Sequence, residues 1–274
     1  MKLTLWGTRG TFPVPGPETV RYGGDTSCLS VEADDRVLVI DAGTGIRRLG
    51  DHLRGDGRDI YLLLTHLHAD HVMGFPYFLP LYEKDRRVFV FGYPLNDQQW
   101  FPFALLDGVH FPVRVDSLPC RWMRVSHDPI AFLAREGFEL TETPLNHPGG
   151  ARGFRIEGPQ RSVVFIPDNE IRPTGEETTP FEALVDFCRG ADYLAHDAQF
   201  TEAQMVSRSG WGHSTPERAA DLATAAGVSN LLLIHHDPER SDDALDALSA
   251  GAAARLASSG IACEAAPDGW SCEI

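Results

Sequence analysis

The sequence predicts an α/β fold of one domain, with helices lying outside two packed mixed sheets. Three observations lead there. Strand-like apolar runs come first and then alternate with helical stretches, and the pattern occurs twice along the 274 residues. No Pro/Gly/Ser-rich linker or low-complexity tract divides the two halves. Hydrophobic residues make up 43% of the chain and charged residues 23%, an ordinary globular balance with enough apolar material for a core.

Lys2 to Trp6 alternates and reads as the first strand. Gly7-Thr8-Arg9-Gly10-Thr11, Pro13-Val14-Pro15-Gly16-Pro17 and Tyr22-Gly23-Gly24-Asp25-Thr26-Ser27-Cys28 are rich in small residues and proline and read as turns. Residues 27–33 and 37–40 flank Asp34-Asp35 as a β-hairpin. Asp41-Ala42-Gly43-Thr44-Gly45 then opens a helix to about Arg54. The run Ile60-Tyr61-Leu62-Leu63-Leu64 is a buried strand, 72–81 is helical up to Pro80, and 88–91 is again a strand. Residues 94–136 are the least regular stretch. They carry Trp100-Phe101-Pro102-Phe103 and Val109-His110-Phe111-Pro112-Val113, which suit a lid, a dimer surface or core packing alike. His110 and His127 have no ligand-like neighbours and read as structural or exposed.

In the second half, 138–144 is a strand, 154–157 and 161–166 form a hairpin, 181–189 is a helix and 193–195 a strand. Thr215 caps a helix over 217–226 with Pro216 at its first position. Residues 230–234 form a strand, Ser241-Asp242-Asp243 starts the last long helix, and two short strands close the chain.

Chemistry concentrates where the strand at 60–64 ends, in Thr65-His66-Leu67-His68-Ala69-Asp70-His71. Neutral imidazole suits Zn²⁺, and a carboxylate suits it or a harder ion such as Mn²⁺. His66 and His68 lie two apart and can point the same way to grip one ion. Asp70 and His71, beyond the turn, can reach a second. One ion takes about four ligands, so this stretch cannot complete two sites. His147, Asp168 and His235 each follow an apolar strand later in the chain and can supply the rest. Any one of them alone would more readily be read as structural.

This His-x-His-x-Asp-His pattern resembles the signature of the metallo-β-lactamase superfamily, and the resemblance runs from end to end. It implies the four-layer αβ/βα sandwich of that family. It implies that His66, His68 and His147 hold a first ion, that Asp70, His71 and His235 hold a second, and that Asp168 bridges them. Alignment with the family's Leu-x-His stop selects His235 over His236. Asp41 resembles the acidic residue that supports the metal loop. Asp25 stands where the family's Gly-Gly-Asn-Thr-Ser segment has asparagine, and receives no role.

His196-Asp197-Ala198-Gln199-Phe200 and Gly212-His213-Ser214-Thr215 resemble the paired motifs of the phosphodiesterase branch, which includes the tRNA 3′-processing endonuclease and small cyclic-phosphate hydrolases. In that branch the acid–histidine pair gives a proton to the leaving oxygen, which implies Asp197 and His213 here, with Asp70 completing the catalytic set. The metal pair would activate the attacking water. No side-chain nucleophile is visible, and no Gly-x-Ser-x-Gly elbow occurs.

Formal net charge is −15, and no Lys/Arg-rich protrusion is evident. The expectation is therefore a small phosphodiester, a cyclic nucleotide first, with nucleic acid not expected as a partner. A tRNA 3′-processing activity is the alternative, followed by β-lactam or thioester hydrolysis and by a metal-bearing sensor without turnover. Zn²⁺ is the first expectation for the two ions and Mn²⁺ the second. The five cysteines are scattered and lack a Cys-x-x-Cys pair, so a disulfide framework is not expected and a cytoplasmic setting fits. Neither a signal peptide nor a membrane span is apparent. The family resemblance further implies a homodimer whose site is partly covered by 94–136.

Overall fold

Many strands here are apolar at consecutive positions, because both faces of each sheet are covered. Residues 60–63 and all of Ser162–Ile166 are buried, as are the last four residues of Asn230–Ile234. The computed structural model describes the chain apart from residues 92, 95–99, 127 and 176 and the side chains of 93, 94, 100 and 101.

The first sheet contains β1 (Lys2–Gly7), β2 (Cys28–Glu32), β3 (Arg36–Ile40), β4 (Asp59–Leu63) and β5 (Arg87–Phe91). A short antiparallel pair, β6 (Tyr93–Pro94) and β7 (Trp100–Phe101), stands apart, and β8 (Arg121–Arg124) returns to the far edge of the first sheet. The second sheet contains β9 (Glu139–Leu145), β10 (Ala151–Glu157), β11 (Ser162–Ile166), β12 (Tyr193–Asp197), β13 (Asn230–Ile234) and β14 (Ala262–Ala265). The closing strand β15 (Ser271–Glu273) joins the first sheet, antiparallel to β1. The orders are β15-β1-β2-β3-β4-β5-β8 and β14-β13-β12-β11-β10-β9. Each sheet is mixed, with β3-β4-β5-β8 parallel in one and β11-β12-β13-β14 parallel in the other.

Three apolar clusters fill the three gaps between four layers. Leu5, Leu38 and Tyr61 of the first sheet meet Phe154, Phe165 and Ile234 of the second in the central one. Outside the first sheet, α1 (Ile46–His52) packs Ile46 and Leu49 with Phe75 and Phe78. Outside the second, α3 (Phe181–Cys188), α5 (Pro216–Ala226) and α6 (Asp242–Leu256) pack Leu184, Leu222 and Leu256. This is the αβ/βα sandwich.

Thr215 caps α5 by accepting from the Arg218 amide, and Gly227 ends it in the left-handed conformation at φ 64°. The helix expected over 72–81 is not formed. The chain instead makes 3-10 turns at Ala69–His71, Phe75–Tyr77 and Leu79–Tyr82. Pro76 and Pro80 remove two donors and bias the residues before them away from α geometry. Gly74 also lies so close to Gly43 that a Cβ there would stand 2.0 Å from the Gly43 carbonyl oxygen. Two further helices escape the sequence reading, α2 (Pro129–Arg135) and α4 (Glu202–Arg208). Both carried cap signals, Asp128-Pro129 and the Thr201…Gln204 capping box. In the 94–136 stretch, Phe103 and Leu106 are core residues packed with the first sheet, and His110 is exposed against Asp107. Trp100 and Phe101 (side chains) and His127 lie outside the described residues.

Candidate metal centre

β3, β4, β9, β11, β12 and β13 deliver Asp41, the 65–71 motif, His147, Asp168, Asp197 and His235 just at or beyond their C-terminal ends. The sheet cores fix where these ends lie, so loops of quite different sequence position meet in one place.

Two side-chain clusters result. His66, His68, His147 and Asp168 bring ligand atoms within 4.8 Å of one another, and so do Asp70, His71, Asp168 and His235. Asp168 belongs to both. Its Oδ2 lies 3.7 Å from both His66 Nε2 and His147 Nε2, while its Oδ1 lies 3.0 Å from His71 Nε2 and 3.4 Å from His235 Nε2. His147 Nε2 faces His68 Nδ1 at 2.9 Å, and Asp70 Oδ2 stands 3.2 Å from His235 Nε2 and 3.5 Å from His71 Nε2. Ligands about 2.0–2.2 Å from a tetrahedral ion stand roughly 3.3–3.6 Å apart, a spacing that these separations of 2.9–3.7 Å bracket.

The donor chemistry fits a cation as well. His66 Nε2 is buried with no hydrogen-bond partner, an arrangement costly to leave unmet. Burial and the neighbouring His71 push the His66 pKa down to about 2, so its nitrogen carries a free lone pair. Burial opposes charge on His71 and His235, but Asp168 and Asp70 outweigh it, holding His71 well above the ordinary imidazole value and His235 at about 9. Asp168 is itself held well below the carboxylate range: burial works against ionisation there, and His235, His71 and His66 overcome it. Protons on the imidazoles balance the carboxylates in the place a cation would take.

An outer ring of hydrogen bonds orients these groups. His71 Nδ1 donates to Asp41 Oδ2 at 2.7 Å, and Asp41 also accepts from the Thr65 amide at 2.8 Å and the Ser27 hydroxyl at 3.2 Å. His66 Nδ1 lies 3.1 Å from Thr65 Oγ1. His147 Nδ1 donates to the Gly212 carbonyl at 3.0 Å. Asp41 and His235 both have positive φ, 65° and 57°, strained conformations of the kind that gather at sites.

Beside the clusters, His213 Nδ1 donates to Asp197 Oδ2 at 2.8 Å. Asp197 is buried and also accepts from the amides of Asn169 and Gln199. The His213 ring stacks on His235 with centroids 4.8 Å apart and an interplanar angle of 14°. His236 points elsewhere and donates to the Ala266 carbonyl at 3.0 Å.

Sequence reading passed over several residues that touch the site. The 7–11 loop is more than a turn: the Thr11 amide donates to Asp70 Oδ2 at 2.6 Å. Buried Arg9 pins that loop by donating to the carbonyls of Gly23 and Arg240. Buried Glu170 accepts from Ser209 Oγ and from the amides of Gly210 and Gly212, at 3.0, 2.8 and 3.1 Å, and so holds the segment that carries Gly212 and His213. An acidic residue two positions after a candidate ligand was the available signal. The five cysteines are free, and among the described residues no helix is long and apolar enough to cross a membrane.

The profile of the beta-lactamase superfamily domain matches residues 36–236. The chain is 30% identical over 277 residues to "Ribonuclease Z" of Haloarcula marismortui, covering 86% of each chain, and 25% identical to that of Nitrosopumilus maritimus, covering 89% of this chain and 91% of the relative. In solved structures it resembles the metallo-beta-lactamase fold protein YhfI from Bacillus subtilis, with TM-score 0.69, 19% identity and 99% and 98% of the two chains covered. Human tRNase Z, short form, gives TM-score 0.63 at 21% identity over 100% and 99% of the chains. These relatives overturn the expectation against nucleic acid drawn from the net charge. A formal charge of −15 sums the whole surface, whereas a phosphate meets the local field of the site it enters. The chain belongs to the beta-lactamase superfamily and is a metal-dependent hydrolase of the metallo-β-lactamase fold.

Proposed function

We propose that this chain cleaves a phosphodiester bond in RNA, with the 3′ end of a tRNA precursor as its first candidate substrate. One observation carries the reading: a histidine paired with a buried carboxylate, His213 with Asp197, is stacked on His235 at the edge of the two-ion cluster. Acyl transfer to a β-lactam or thioester has no evident use for that pair. The name of the Haloarcula marismortui relative supports RNA over a cyclic nucleotide.

His66, His68 and His147 would hold one ion and Asp70, His71 and His235 the other, with Asp168 between them. When bound, the ions supply an acidified water and neutralise charge developing on the phosphoryl oxygens. The protein's own work is orientation and proton management. Asp41 and the Gly212 carbonyl hold the Nδ1 protons of His71 and His147, which leaves each Nε2 aimed inward. Asp197 holds the Nδ1 proton of His213 and fixes the ring, so Nε2 is the nitrogen that would give a proton to the departing ribose oxygen. Zn²⁺ suits the histidine-rich shell first and Mn²⁺ second. We further infer one domain, and a homodimer in which 94–136 covers part of the site; a strictly monomeric hydrodynamic size at micromolar concentration removes that last point.

A small phosphodiester is the second reading, favoured by the acidic net charge. Metal analysis paired with pre-tRNA, 2′,3′- and 3′,5′-cyclic nucleotides, bis(p-nitrophenyl) phosphate and nitrocefin decides between them. Release of the tRNA 3′ trailer is expected. Cyclic-nucleotide turnover with inert pre-tRNA reverses the order, nitrocefin hydrolysis with inert phosphodiesters removes both, and two bound ions without turnover leave a sensor.

A further inference from the structure

Two large aromatic side chains stand in solvent beside the metal centre, Phe12 at 60% exposure and Trp211 at 58%. Exposure alone decides nothing, since single apolar residues on a surface are common. What sets these two apart is their attachment, each one residue from a group that touches the candidate ligands.

Phe12 hangs from the Asp70 end. Its amide donates to the Gly10 carbonyl at 2.6 Å around Thr11, whose φ is 65°. This is a γ-turn of the rare positive-φ form, and a β-branched residue at its centre adds strain. The strain has an evident return: the turn aims the Thr11 amide at Asp70, while Thr11 Oγ1 accepts from Gln199 Nε2 at 2.9 Å. Gly10 is pressed so tightly to the His235 ring that a Cβ would lie 2.3 Å from it. With the turn held on both sides, Phe12 is turned outward.

Trp211 hangs from the His147 end. The amides on either side of it, Gly210 and Gly212, are both held by the Glu170 carboxylate, and the Gly212 carbonyl accepts from His147. The indole is braced by an edge contact with Phe200, centroids 6.2 Å apart, and by the Arg208 guanidinium 5.7 Å from its ring. Phe200 in turn lies 5.5 Å from His213. The backbone under each aromatic is therefore held before any ligand arrives, and the Trp211 ring is braced as well, which lowers the entropy lost on binding.

We propose that Phe12 and Trp211 form a nucleobase-binding subsite that stacks the bases on either side of the phosphodiester presented to the cluster. The inference rests on the RNA reading above and names how the substrate is gripped. Stacking accepts any base face, so the subsite confers affinity for unpaired nucleotides with little sequence preference. It also supplies grip without a basic surface, in keeping with the acidic chain.

The test uses the metal-loaded full-length enzyme and a single-stranded RNA carrying 2-aminopurine at the two positions flanking the cleavage point. Stopped-flow quenching reads binding before cleavage, and an oligonucleotide abasic at those positions is measured by competition. Wild-type enzyme should prefer the base-bearing strand by tenfold or more. Phe12→Ala and Trp211→Ala should each weaken its binding about 5- to 100-fold and leave the abasic strand unaffected. Phe12→Trp and Trp211→Phe should retain binding, and Val20→Ala, which removes an exposed aliphatic group that cannot stack, should change nothing. Equal affinity for base-bearing and abasic strands, or alanine variants that bind as wild type does, overturns the proposal. RNA cleavage that continues in that case leaves the RNA reading standing. Base-dependent binding through Phe12 and Trp211 in an enzyme that leaves RNA uncut would instead retire the RNA reading alone.

Discussion

Asp41 Oδ2 lies 2.7 Å from His71 Nδ1, and both side chains are completely buried. The carboxylate sits on the outer side of the candidate ligand and fixes its orientation, so the inner nitrogen, Nε2, is the one that faces Asp168 and Asp70. Removing such a partner characteristically costs 10- to 100-fold in metal affinity or activity. Asp41→Ala should accordingly lose metal to a chelator about 10- to 100-fold more readily than wild type, and Asp41→Asn, which can still accept from His71, should lose less. Unchanged metal retention in Asp41→Ala would mean that His71 is oriented by packing alone.

Asp168 reaches both clusters with different oxygens, whereas Asp70 belongs to one. Asp168→Ala should therefore lose both ions and nearly all activity, and Asp70→Ala should retain one ion. Metal content per chain after gel filtration reads this directly. Equal single-ion losses in the two variants contradict a bridging role.

His213→Ala removes a proton donor and leaves every candidate ligand in place. A ribose hydroxyl needs a proton as its P–O bond breaks, while p-nitrophenolate departs with little help. The variant should lose on the order of 10²–10⁴ in rate on RNA and far less on bis(p-nitrophenyl) phosphate, with both ions bound. Asp197→Asn should follow the same pattern more weakly. A uniform fall on both substrates would assign His213 to substrate orientation.

Glu170 is a buried carboxylate whose partners lie on the 209–212 segment. Glu170→Ala leaves the buried Gly212 amide without an acceptor, a loss that costs about 1–3 kcal/mol, and frees the exposed Gly210 amide to water. A lower urea midpoint is expected, together with reduced turnover, because the Gly212 carbonyl and His213 shift with the segment. Full turnover in a destabilised Glu170→Ala would confine Glu170 to stability.

Local chemistry was legible in the chain itself. Continuous apolar runs such as Ile60–Leu64 mark strands covered on both faces, and polar residues placed where those runs stop mark the mouth of a sheet sandwich. The caps at Thr215 and Ser241 follow from side-chain oxygens that bond amides two or three residues away, an interaction contained in a few consecutive positions. Where a local signal was present but short, as at Thr201…Gln204, the helix went unread.

What the sequence determined by itself is therefore what depends on neighbours along the chain: most of the strands and helices, though not β6, β7 and β8, and the kinds of ligand at the strand ends. The tertiary structure decided what depends on distant backbone coming close. Gly74 meeting Gly43 replaces a helix with 3-10 turns, the Thr11 amide reaches Asp70 across 59 positions, and Glu170 holds amides 40 and 42 residues away. Amides and carbonyls carry no residue identity, so no pattern of letters announces which of them will face a ligand. Net charge misleads for a related reason: it is a sum over the chain, whereas binding responds to the field at one place, and only folding assigns charges to places.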